Sequence, residues 1–246
     1  MFQRFKLRSS TLSSSKKRSS NYEPLVRWMH GAQMVAFNMQ INFGNHMRSD
    51  MKSEAMTGYG TSLWLMQGMF RSNGGCGYVK KLDFLMTKGT NGEVFDPKAS
   101  SEVKKTLKVR VFLGDGWRLD FSKTHFDTFS PPDFYVKFRI LGVPRDFAKQ
   151  KTKVIEDDWV PVWDQEFTFS LTVPELAPLQ IEVKEHDMSE GDDFGGQACL
   201  PISELKTGIR SIDFLIGRAR NSQMSIIKEG SVDTDFVRFL WYCYGG

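Results

Sequence analysis

Apolar and polar side chains alternate with a period of two in four separate stretches after residue 106. Leu107, Val109, Val111 and Leu113 alternate with Lys108 and Arg110, and Phe134, Val136, Phe138 and Ile140 with Lys137 and Arg139. Phe167, Phe169 and Leu171 alternate with Thr168 and Ser170, and Leu179, Ile181 and Val183 with Glu182 and Lys184. Successive side chains of a strand point to opposite faces, so the alternation predicts strands with one buried and one wet face. Loops rich in Pro, Gly and Asp separate them, and the whole predicts an antiparallel sandwich.

Ahead of these strands the pattern changes. Met34, Val35, Ala36, Phe37, Asn38 and Met39 form an apolar run without a face, and Leu63 to Phe70 form another. Such runs suit a strand buried on both sides or a buried helix, and periodicity alone does not separate the two. Ile41 to Thr57 read as a polar loop, Asn73-Gly74-Gly75-Cys76-Gly77 as a turn, and Tyr78 to Met86 as a strand or loop. Residues 88–104 read as a linker, and no internal repeat is evident.

Charge adds a second division. The 246 residues carry a formal net charge of +4, but Arg4, Lys6, Arg8, Lys16, Lys17, Arg18 and Arg27 face only Glu23 in the first thirty. Residues 1–18 are thus a basic, Ser-rich leader, suited to an anionic membrane surface or simply solvated and disordered. Its lack of acids resembles an organelle transit peptide, without a clear amphipathic pattern. No run of 18 apolar residues occurs, so a membrane role would be peripheral. Cys76, Cys199 and Cys243 are odd in number and widely spaced, which argues against a disulfide framework or zinc site and suits a reducing, cytoplasmic setting.

The acidic residues of the sandwich region fall in three loops. Asp127 and Asp133 precede the Phe134 strand, Asp157 and Asp158 precede Trp159, and Glu185, Asp187, Asp192 and Asp193 follow the Leu179 strand. Alternate loops of a sandwich emerge at one end, so five or six carboxylates could converge there and raise one another's pKa. A hard cation removes that conflict, and Ca²⁺ takes 6–8 oxygen ligands on flexible loops. Solvated loop tips are the plainer alternative.

The spacing Asp127-x5-Asp133, then Glu185-x-Asp187-x5-Asp193 and Phe194-Gly195-Gly196, resembles the calcium loops of C2 domains. Asp133-Phe134-Tyr135-Val136-Lys137 and Pro161-Val162-Trp163-Asp164-Gln165-Glu166-Phe167 fit the same family, with Glu185 departing from the Asp common there. Upstream, Ser19-Ser20-Asn21-Tyr22, the segment Gly31 to Gln40 and Asn73 to Lys81 resemble the end of the Y box of phosphoinositide-specific phospholipases C. A Y-box end running into a C2 domain is that family's order, and the wording around Met188-Ser189-Glu190 is similar to its plant branch. Residues 1–18, 41–57 and 213–246 depart from the family pattern.

The resemblance implies an all-β C2 sandwich, eight-stranded and antiparallel, over 105–220, preceded by an incomplete α/β TIM-like barrel fragment over 19–87. Residues 221–246 would be a divergent tail, with Asp235 to Tyr242 able to serve as the last C2 strand. It implies calcium as cofactor, held by Asp127, Asp133, Asp157, Asp158, Glu185, Asp187 and Asp193. The family hydrolyses phosphatidylinositol 4,5-bisphosphate to diacylglycerol and inositol trisphosphate. Its catalytic histidines lie in an X half, and none of His30, His46, His125 and His186 matches such a position. The chain is therefore expected to be inactive alone, and residues 19–87 to be unstable unless a separate X-half polypeptide covers them. A non-catalytic membrane or protein adaptor is the alternative.

Two further features bear on partners. Lys149, Lys151 and Lys153 alternate near Lys137 and Arg139, a basic face suited to phosphoinositide headgroups or merely solvated. Trp117, Phe126, Phe129, Trp159 and Phe194 lie in or beside the loops and suit either membrane insertion or core packing. The expected partners are an anionic phospholipid membrane and phosphoinositides, with no nucleic acid, at the plasma membrane.

Overall fold

The computed structural model describes residues 23–35, 60–86, 94–99, 101–121, 125–126, 130–188, 191–215 and 236–245. Eight antiparallel strands follow the linker: β1 (Lys105–Asp115), β2 (Phe134–Ile140), β3 (Ala148–Lys151), β4 (Val162–Leu171), β5 (Pro178–Glu185), β6 (Phe194–Pro201), β7 (Gly208–Leu215) and β8 (Phe236–Gly245). Their order is β3-β2-β5-β6-β7-β8-β1-β4. Contact between the two halves of this order narrows to one paired position, Gln197 with Leu215, at β6 and β7. The halves fold over as a sandwich, because inward residues of both form one core. Val136, Phe138, Leu179 and Ile181 from one half meet Val109, Trp163, Phe169 and Phe214 from the other. Each such apolar side chain taken fully from water contributes about 1.5–3 kcal/mol.

The four alternating stretches lie within β1, β2, β4 and β5. β6 shows no alternation because every one of its residues is buried. One reason is the segment ahead of the sandwich. Helices α1 (Pro24–Met29), α2 (Gly60–Phe70) and α3 (Asp83–Met86) are its regular elements, and its described residues contain no strand. The Leu63–Phe70 run is therefore helical, and Tyr78 to Leu82 are irregular. Of the Met34–Met39 run, Met34 stands exposed outside any strand, and residues 36–39 lie outside the described residues.

Part of this segment packs on the sandwich. Leu25, Met29 and Leu65 form a second buried cluster with Val143, Val173, Leu176 and Cys199 of the sandwich. Helix α2 comes close enough that a Cβ built on Gly68 would lie 2.6 Å from the Cys199 Sγ. Only glycine permits that approach. Burial pushes the Cys199 thiol up to about 12, while Cys76 is exposed.

Candidate functional site: acidic loops beside a basic strand face

Three loops meet at the end of the sandwich where β2 begins. The Asp157 N–H donates to Asp133 Oδ1 at 2.8 Å, and the His186 N–H donates to the Asp133 carbonyl at 2.8 Å. The Glu185 N–H donates to the Asp193 carbonyl at 3.0 Å, closing the base of the third loop. Asp157 adopts a left-handed backbone, φ 53°, which costs a non-glycine residue about a kcal/mol or more. That strain is held by the capping bond to Asp133.

Asp133, Asp157, Asp158, Glu185, Asp187 and Asp193 are thereby gathered on adjoining loops, whereas Asp127 lies outside the described residues. Their roles differ. The Asp158 Oδ1 accepts the Val160 N–H at 2.8 Å, and Glu185 is almost wholly buried. Oxygen-only donors on loops are the chemistry a hard cation takes. Among the described residues, however, no three carboxylates, imidazoles or thiolates stand near enough to one another to hold an ion.

Beside these loops lies the basic face. β2 and β3 pair so that Lys137 opposes Lys151 and Arg139 opposes Lys149. Four cations thus share one patch, and directly opposed like charges destabilise a sheet. Lys153 falls beyond the end of β3 and outside the ladder. β5 adds Glu182 opposite Lys137 and Lys184 opposite Tyr135. Glu182 takes an ion pair from Arg139 at 3.1 Å and approaches Lys184 at 4.0 Å. The ammonium groups of Lys137 and Lys151 lie 5.1 and 5.4 Å from the centre of the Tyr135 ring, as a cation–π pair requires. Burial, then the neighbouring Lys184, pulls the Lys137 ammonium below its ordinary pKa.

Asp192 joins the two features. Its carboxylate accepts the Tyr135 hydroxyl, stands 3.9 Å from the Lys137 ammonium and 3.2 Å from His186 Nδ1. Its carbonyl accepts from the Lys184 ammonium at 3.4 Å. Burial pushes the Asp192 carboxyl up, but the Tyr135 and His186 hydrogen bonds and the two lysines outweigh it, so the net shift is downward. Tyr135 is pushed well above its ordinary value, by burial first and the Asp192 bond second. The loop spacing had marked Asp192 as acidic without assigning it a role. The residue that could have done so is Tyr135, whose neighbours in sequence alternate with it into the core while its own hydroxyl demands a partner.

The aromatic residues considered for membrane contact divide. Trp117, Phe126 and Phe194 are core residues. Trp117 presses one edge of its indole against Gly114, packs at a tilt on Phe134 and donates its Nε1–H to the Gly195 carbonyl at 2.7 Å. Trp159 is half-buried against the same core, and Phe129 lies outside the described residues. The apolar side chains left exposed on the loops are instead Met188, 96% exposed, and Val160. The signal for Met188 was an apolar residue at a loop tip between acids.

The histidines form no cluster among the described residues. His30 is exposed, not packed, with Nδ1 at the Val26 carbonyl; His125 meets the Phe194 carbonyl and His186 meets Asp192. His46 lies outside the described residues.

Comparison with known proteins places these features. The C2 domain family model matches residues 104–214. The chain is 64% identical over 194 residues to Phosphoinositide phospholipase C 6 of Arabidopsis thaliana, covering 79% of this chain and 29% of that protein. It is 35% identical over 202 residues to human 1-phosphatidylinositol 4,5-bisphosphate phosphodiesterase delta-1, covering 80% of this chain and 24% of that one. The crystal structure of L. pealei PLC21 superposes with a TM-score of 0.64 at 22% identity, over 92% of this chain and 24% of that one. The chain thus spans well under half the length of the curated relatives it matches. Residues 104–214 are a C2 domain, and the chain is a relative of the C-terminal part of the plant phosphoinositide phospholipases C.

Proposed function

We propose that this chain docks peripherally on anionic phospholipid, phosphoinositides among them, through the face of Lys137, Arg139, Lys149 and Lys151, under the control of calcium at the neighbouring loops. The observation that carries this reading is the pairing of Lys137 with Lys151 and Arg139 with Lys149. The fold bears the repulsion of opposed cations, and an anionic surface relieves it. Each cation near such a surface is worth about 1 kcal/mol. Asp133, Asp187 and Asp193, with Asp127 and assistance from Glu185 and Asp157 or Asp158, would supply the carboxylates for calcium. The ion would neutralise loops that otherwise repel the same membrane. Met188 and Val160 would then enter the headgroup region.

In a whole phospholipase, the segment ahead of the sandwich would complete the wall of the catalytic barrel, and the reaction would be hydrolysis of phosphatidylinositol 4,5-bisphosphate at the cytoplasmic face of the plasma membrane. The X half, in the same or a separate polypeptide, would bring the acid–base groups. The 246-residue chain by itself should release no inositol phosphates from that lipid, and calcium-dependent release by the purified chain would overturn this part.

Co-sedimentation of the full chain with phosphatidylcholine vesicles, with and without phosphatidylinositol 4,5-bisphosphate, in calcium or chelator, tests the docking. Binding should need the anionic lipid and rise with calcium. Asp187→Asn and Asp193→Asn should each lose the calcium increment. Lys151→Ala should weaken vesicle binding about fivefold and leave calcium binding in place. Equal binding in calcium and chelator, with Asp variants like the parent, would replace the calcium switch by a calcium-independent adaptor.

A further inference from the structure

The anion-facing cations are not vacant. Asp192 places a carboxylate among the Tyr135 hydroxyl, the Lys137 ammonium and His186, and its carbonyl takes the Lys184 ammonium. A phosphate oxygen approaching Lys137 and Tyr135 would seek the same two donors. Asp192 is also sheltered, its side chain 27% exposed and that of Lys137 17% exposed. The contact is therefore partly withdrawn from water, where charge-assisted hydrogen bonds are strongest.

We propose that Asp192 is an internal competitor, a tethered carboxylate that an anionic lipid headgroup must displace before it can engage Lys137 and Tyr135. This rests on the reading of that face as a lipid-docking surface. The physical reason is the tether. A carboxylate held by the chain acts at an effective concentration of order millimolar or above. A phosphatidylserine headgroup offers a single net negative charge, no more than Asp192 already supplies, and it must arrive from outside. A phosphomonoester carries about −1.5 to −2 and three acceptor oxygens. It can engage Lys137, Lys151 and Tyr135 together and displace Asp192, whose side chain then turns to solvent. Lys151 and Lys149 are exposed and meet the incoming group first.

The test compares the full chain with its Asp192→Asn and Asp192→Ser variants in chelator, so that calcium plays no part. Each variant is first checked for an unchanged melting transition. The vesicles are phosphatidylcholine with either phosphatidylserine or phosphatidylinositol 4,5-bisphosphate, at matched total charge. The parent should bind the phosphomonoester vesicles and largely ignore phosphatidylserine. Both variants should gain at least about fivefold on the phosphomonoester vesicles, and by a similar factor wherever phosphatidylserine binding can be measured, because removing a tethered competitor raises each displacing ligand's affinity alike. Combining Asp192→Asn with Lys137→Ala should abolish most of that gain, since the competitor acts through Lys137. A gain that persists in the double variant is a bulk-charge effect and overturns the proposal. Parent-like behaviour of both variants overturns it too, while the docking reading survives if the parent binds. If the gain appears for soluble inositol 1,4,5-trisphosphate but for neither vesicle, the ligand is a free phosphate and the membrane proposal fails. No binding by any protein in calcium or chelator removes the docking reading itself.

Discussion

Asp146 is buried to 2% exposure. It is satisfied entirely by the turn it faces. Oδ1 accepts the Thr172 N–H and hydroxyl, each at 2.7 Å, and Oδ2 accepts the Val173 N–H at 2.9 Å. Those bonds fix the exit of β4 where the second apolar cluster begins at Val173. Hydrogen bonds to a charged group contribute about 1.5–3 kcal/mol, and the donors left behind by truncation would stay buried. Asp146→Ala should therefore lower the free energy of unfolding by about 3 kcal/mol in urea titration, and Asp146→Asn, which retains one acceptor, by roughly half as much. A loss below about 0.5 kcal/mol for the alanine variant would mean that the turn does not depend on these bonds. Nothing in the chemistry of a lone Asp between Arg145 and Phe147 announces this role, because its partners lie 26 residues away.

Among the elements, legibility followed exposure to water. β1, β2 and β4 each keep one wet face over part of their length and could be read directly, whereas β5 is almost wholly buried and was legible only because Glu182 and Lys184 interrupt its apolar residues. The register of β2 on β3 was foreshadowed by lysines spaced two apart, since only a strand puts Lys149 and Lys151 on one face. β6 is buried throughout, and α2, which packs on it through Leu65 and Gly68, has Gln67 as its one exposed side chain among those described, so no polar face marks its run. That is why Leu63 to Phe70 could be taken for strand or helix. The acidic loops were legible as a spacing, but not in which of their carboxylates cap backbone N–H groups. The contact of α2 with β6 turns on Gly68, and it can be tested by enlarging that residue. Gly68→Val should place methyl groups where the Cys199 side chain sits and cost about 1–3 kcal/mol by overpacking. In a background with Cys76 and Cys243 changed to Ser, the Cys199 thiol should then react with a maleimide in the native state, whereas in the Gly68 parent it should stay protected. Equal protection in the two would show that the helix is not what shields it.

At the scale of the whole molecule, the two sides of the sandwich are joined by little backbone pairing. β6 and β7 share one position, and at the open side the β3 and β4 edges are stitched by a side chain, Gln150 Nε2 donating to the Thr168 carbonyl at 3.2 Å. Unpaired edges of this kind invite another chain, and β3 carries lysines on its exposed face, a device that discourages it. The proposed docking face and the protected edge therefore share strand β3. The acidic loops, the lysines and the helical segment all adjoin the half made of β3, β2, β5 and β6.

β8 lies between β7 and β1, so the last described strand of the sandwich stands beside its first. During synthesis β1 can pair with β4 as soon as residue 171 is free, but its other side has no neighbour until residues 236–245 leave the ribosome. For that interval the nascent chain carries an open edge along most of β1, eleven residues long, with Leu107, Val109 and Val111 destined for the core. Such an edge is where a partly made protein associates wrongly. A chain released at residue 235 should accordingly emerge insoluble, and recover solubility when a peptide of residues 236–246 is supplied during translation. Soluble, monomeric release of the shortened chain without the peptide would show that β1 does not wait for β8.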